Sequence, residues 1–111
     1  MAEPTLVELF GAGATQTDTT LTISKAALTA KGLTATANNS AESLFVALFL
    51  LWKDILTEER QSINPEQSIT IGDGLTPVSL VQRNNQTYRQ NQFSINLQKL
   101  DTQVGIDPDD Y

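Results

Sequence analysis

Nine apolar residues in an unbroken run, Leu44 to Trp52, stand inside the segment "NNSAESLFVALFLLWKDIL" of a chain otherwise rich in Thr, Asn and Gln. The run has a polar start and a charged end. Asn39 and Glu42 have the spacing of a capping box, and Ser40 is a second candidate cap, so a helix is expected to begin near residue 40. Pro65 biases Asn64 away from helical geometry, which places the end near residue 60. The apolar run is about half of what a bilayer requires, and Lys53, Asp54, Glu58, Glu59 and Arg60 follow it, so no membrane span is expected. Leu44, Leu48, Leu51, Trp52 and Ile55 form one stripe at helical spacing and Phe45, Phe49 and Leu56 a second. Val46 and Leu50 occupy what would be the solvent side. Such a helix needs cover on more than one side, from its own domain or from a partner.

The cover is expected to be a sheet. "TLTI" (Thr20 to Ile23) and "SITI" (Ser68 to Ile71) alternate as half-buried strands do. "GDGL" (Gly72 to Leu75) supplies a turn, "TPVSLVQ" is extended, and "RNNQ" (Arg83 to Gln86) supplies the next turn because Asn tolerates left-handed backbone. From Tyr88 to Lys99, Phe93, Ile95 and Leu97 alternate with Ser94, Asn96 and Gln98. The expected fold class is therefore α+β: a single domain over residues 1–103, with an antiparallel sheet and a C-terminal three-strand meander packed on one long apolar helix at about residues 40–60. Residues 24–37 admit a short helix over Lys25 to Ala30 stopped by Gly32, which is preferred, or a strand through "LTATA". Residues 104–111 lack a periodic apolar pattern and form an acidic C-terminal arm.

Residue types narrow the chemistry. A chain of 111 residues has room for one core. It contains neither Cys nor His, which removes disulfides, thiolate metal sites, the commonest zinc ligands and most nucleophilic triads. The net charge of −6 and scattered basic residues argue against nucleic acid and against anionic membrane surfaces. Arg83 and Arg89, which flank the expected turn, fit hairpin surface better than a phosphate site. The opening "MAEPTLVELF" lacks the basic and apolar regions of a signal peptide, so a cytoplasmic location in the producing cell is expected. On that view the glycosylation patterns at Asn38 and Asn85 are chance matches.

Candidate sites reduce to surface in the same way. "GAGAT" (Gly11 to Thr15) and "GDG" lack the Lys-Ser/Thr ending of a phosphate loop and fit turns. Asp107, Asp109 and Asp110 lack the central Gly and closing Glu of a calcium loop. Glu58 with Glu59, or Asp54 with Glu58, would need a desolvating cleft to act as paired acids. No catalytic, cofactor-binding or metal-binding residues are assigned, and no cofactor is expected.

The stretches "TDTTLTISKAALTAKGLTATANNSAESLFVALFL", "NPEQSITI" and "NLQKLDTQVGIDPDDY" resemble small uncharacterised structural proteins of cyanobacterial phages or phage-like particles. The resemblance is one of overall texture across most of the chain and carries no catalytic motif. It implies a virion component, such as a capsid-associated, neck, tail or baseplate subunit. Together with the over-apolar helix, it makes a non-enzymatic structural assembly subunit the first expectation. Such a protein acts as a homo-oligomer or with other structural subunits, in the cytoplasm or the virion, without nucleic acid or membrane. The candidate interface comprises Phe49, Trp52, Val104, Ile106 and Tyr111, with the terminal Tyr111 suited to docking in a neighbour's pocket. The alternatives are a small soluble binding module enclosing an apolar ligand between sheet and helix, and an enzyme using carboxylates or Tyr88.

Overall fold

A computed structural model describes residues 3–99 and 105–111. The chain mixes helix and strand. Helix α1 (Leu6–Phe10) leads into a minimal hairpin, β1 (Thr15–Gln16) with β2 (Leu21–Thr22), and then a 3-10 helix (Lys25–Lys31). Helices α2 (Ala41–Ile55) and α3 (Glu58–Ile63) follow, then strands β3 (Ile69–Arg83) and β4 (Gln86–Leu97), and a final 3-10 turn (Pro108–Asp110).

The apolar helix starts where its cap chemistry says it should. Ser40 is the N-cap and its hydroxyl accepts from the Ser43 N–H at 3.1 Å. Asn39 instead ties down the preceding loop, accepting from the Thr36 N–H and donating to the Thr34 carbonyl. The end differs from expectation: the helix stops at Ile55 and a separate α3 begins at Glu58. Two bonds account for the break. Thr57 caps the new helix through its side chain, and the Leu56 carbonyl leaves the helical pattern to accept from the Ile71 N–H of β3 at 2.8 Å.

Among the described residues the expected three-strand meander does not form, and in its place stands one long antiparallel hairpin. Asn84 and Asn85 form its turn with φ of 54° and 61°, the left-handed pair that a two-residue hairpin loop demands. Gly72 to Leu75 make no turn. Five pairs run from Ile69–Leu97 to Asp73–Phe93, six more from Val78–Asn91 to Arg83–Gln86, and between them residues 74–77 bulge opposite Gln92 alone. Gly74 is what lets the chain pass there, since a Cβ on it would lie 2.6 Å from Gln92 Cγ and 3.0 Å from Gln92 Cβ and backbone C. Pro77 falls inside the bulge, where no ladder N–H is lost. The Gln92 side chain accepts from the Thr76 N–H across it at 3.1 Å.

The "TLTI" segment also differs. Only Leu21 and Thr22 pair, and they pair with β1, so the described residues form two separate two-stranded sheets instead of one larger sheet. In the ambiguous stretch the helical reading holds: the 3-10 helix runs to Lys31 and ends at Gly32 in left-handed conformation, φ 96°.

Packing is sparse. The buried apolar residues are Ala14, Leu28, Ala47, Leu56 and Ile71, where α2 meets α1, the 3-10 helix and the base of β3. Gln67 is buried beside them, its amide donating to the Thr57 and Ile69 carbonyls at 3.0 Å each and thereby fixing α3 to the hairpin base. Beyond the bulge the hairpin leaves this body. The radius of gyration, 16.4 Å, exceeds the roughly 13 Å of a compact chain this long.

Candidate functional site

The side chains of α2 divide between two neighbours. Trp52 turns to α1, where its indole N–H donates to the Leu9 carbonyl at 2.6 Å and its ring meets Phe10 edge-on at 6.0 Å. Helix α1 was not expected from hydrophobic periodicity, although Thr5 and Glu8 form a complete capping box that a search for that spacing finds. Glu8 also pairs with Arg60 of α3. The Thr5 backbone N–H, and after it the Arg60 guanidinium, hold the Glu8 carboxyl below its ordinary pKa of 4.5.

Phe49 points the other way, to the hairpin. Its ring lies 5.0 Å from Phe93 of β4, Lys53 Nζ lies 5.7 Å from the Phe93 ring, and Phe45 stacks on Phe49 one turn earlier at 6.2 Å. In the antiparallel register, directly opposed residues share a face and alternate along each strand. Phe93 therefore shares its face with Asp73, Ile71, Ile95, Leu97, Arg89, Leu80 and Val78. The other face is polar apart from Val81 and Tyr88, with the Arg83 guanidinium 4.3 Å from the Tyr88 ring.

Around the Phe49–Phe93 contact an apolar surface remains open. Phe45 and Val46 of α2 are 61 % and 52 % exposed, and Val78 and Leu80 of the outer hairpin are 52 % and 67 % exposed. Ile95 and Leu97 are also exposed on that hairpin face. Single exposed apolar side chains need no explanation, but several on neighbouring elements make this the candidate site. Arg89 lies directly across from Leu80, and Glu42 precedes Phe45 and Val46 by one helical turn. Neither takes part in either ion pair formed by the described residues.

The sequence-derived interface residues separate in space. Phe49 belongs to the open surface, whereas Trp52 is occupied by α1. Ile106 is exposed, and Val104 lies outside the described residues. Tyr111 is half-buried and lines a cavity of about 140 Å³ with Leu9, Leu56, Gln67 and Ile69 of its own chain, with Lys99 Nζ 5.3 Å from its ring. That cavity falls below the roughly 300–1,000 Å³ typical of small-molecule sites. A wider, solvent-open groove of about 530 Å³ runs along the start of α2, lined by Lys31, Leu33, Glu42, Val46 and Ala47 among others.

The carboxylates considered from sequence have structural places. Asp54 pairs with Lys31, and Glu58 and Glu59 stand exposed in the first turn of α3, where negative charge is favoured. Asp107 caps the last 3-10 turn by accepting from the Asp109 N–H at 3.0 Å. Among the described residues no helix is long and apolar enough to cross a membrane. Comparison of the chain with protein-family models, curated proteins and solved structures finds no match.

Proposed function

We propose that this protein is a non-enzymatic structural subunit that works by assembling, with the outer hairpin and the exposed side of α2 as its contact surface. The observation that carries the proposal is the apolar surface left open by Phe45, Val46, Val78 and Leu80 around an aromatic contact. A two-stranded arm is marginal by itself in water, so an arm bearing six pairs beyond the body gains most by being covered. The setting in a virion or phage-like particle rests on the textural resemblance of the sequence. The reading of a module that encloses an apolar ligand between sheet and helix finds less support: Phe49 and Phe93 fill that junction, and the cavity at the hairpin base holds only about 140 Å³.

Sedimentation velocity over a wide concentration range tests the proposal. The native chain should show a weight-average mass above one chain, and Leu80→Asp should return it to one chain while its circular dichroism is kept. A native chain that stays monomeric throughout that range refutes assembly.

A further inference from the structure

The two exposed apolar pairs carry opposite charges in matching places. On α2, Glu42 sits three and four residues before Phe45 and Val46, so all three share one side of the helix. On the hairpin, Arg89 is the cross-strand partner of Leu80, and Val78 lies two residues along on the same face. Each side thus has a charge beside its apolar pair, Glu42 at the start of the helix face, with Lys53 eleven residues further along it beside Phe93, and Arg89 on the arm. The outer arm beyond the bulge contains Arg83 and Arg89 and no acid, while the chain as a whole is at −6. Within one molecule the two sides do not cover each other, as the exposure of all four apolar residues shows. Both nonetheless adjoin the same Phe49–Phe93 contact, through the Phe45–Phe49 stack on one side and the shared strand face on the other.

We propose that the occupant of this surface is a second copy of the chain, bound about a two-fold axis, with the outer arm of each copy laid across α2 of the other. Val78 and Leu80 of one copy then cover the partner's Phe45 and Val46, and Arg89 meets the partner's Glu42. Because each molecule supplies both halves, the contact forms twice, and such self-complementary closure is what a two-fold dimer requires. The arm from Val78 to Arg83 offers a face of roughly 20 Å by 10 Å, and four such faces amount to about 800 Å², below the usual range of stable complexes. The dimer is accordingly concentration-dependent. This inference rests on the assembly reading above and names its partner and geometry.

Charge exchange at Glu42 and Arg89, read by sedimentation equilibrium, tests it. The native chain should reach a mass of two chains and stop there. Glu42→Arg alone and Arg89→Glu alone should each weaken dimerisation about tenfold or more, since each places two like-charged pairs in the contact. The double variant, and an equimolar mixture of the two single variants, should dimerise within about threefold of the native chain, because both re-form opposite pairs. Circular dichroism melts that match the native chain show that the variants fold, and the recovery in the double variant answers the same question independently. Growth of mass beyond two chains overturns the two-fold arrangement. Association that Leu80→Asp abolishes but the charge changes leave untouched, or that the double variant fails to recover, overturns the Glu42–Arg89 contact and leaves assembly standing. A native chain that stays monomeric at every concentration overturns the second copy as occupant and self-assembly with it.

Discussion

Phe49 joins helix to hairpin, so Phe49→Ala tests whether that junction stabilises the protein or merely touches. Truncating a fully buried Phe costs about 3–5 kcal/mol. Phe49 is half-buried, and its neighbours Phe45 and Phe93 are themselves partly exposed and free to relax into the gap. About half of the full cost applies, roughly 2 kcal/mol, of which the two ring contacts at 5.0 and 6.2 Å account for about 1 kcal/mol. For a chain near 100 residues this lowers the midpoint of thermal unfolding by about 10 °C. The assay is urea unfolding followed by far-ultraviolet circular dichroism, at concentrations where the sedimenting species is one chain. The slope against urea should match the native chain, so that the change in midpoint reports stability and not the extent of unfolding. A loss below about 0.5 kcal/mol would show that the hairpin stands without the helix. A loss above about 4 kcal/mol would show Phe49 enclosed in a core, contrary to its exposure.

Trp52→Phe keeps an aromatic ring, though a smaller one, and removes the indole donor to the Leu9 carbonyl, so chemical melts should show a loss of at least about 1 kcal/mol. Gly74→Ala pushes a Cβ against Gln92, including its backbone, and should destabilise by about 1–3 kcal/mol in the same melts. Glu8 has a folded pKa below its ordinary 4.5, so its contribution to stability is present above about pH 4.5 and disappears as pH falls through the lowered value. Thermal melts between pH 7 and pH 3 should therefore show a smaller acid loss for Glu8→Gln than for the native chain.

What the sequence made legible was governed by near neighbours. Ser40 caps α2, Gly32 stops the 3-10 helix and Asn84–Asn85 turns the hairpin, each through backbone preferences within a few residues. The errors came from contacts between distant segments. "GDGL" has turn composition, but Gly74 serves a close approach to Gln92, eighteen residues later, and so the expected meander became one long hairpin. The helix end moved because Ile71 claims the Leu56 carbonyl. The exposed apolar side chains were half visible: Phe45 and Val46 lie on the helix whose apolar width pointed to incomplete cover. Val78 and Leu80 were missed, although "PVSLVQ" alternates, because their shared face with Phe93 appears only once the bulge sets the register.

The four-residue bulge also divides the hairpin into two cooperative units. Its gap separates the five inner pairs, anchored by Leu56 and Gln67, from the six outer ones, which have solvent on both free edges. Opening the outer unit breaks no bond of the inner one, so its amides exchange with solvent through a local fluctuation and not through global unfolding. A single molecule can thus lose the exposed apolar face of its arm and regain it while the body stays folded. If the protein assembles as proposed, engagement would hold the arm closed, and slow exchange at residues 78–83 and 86–91 would mark the assembled state.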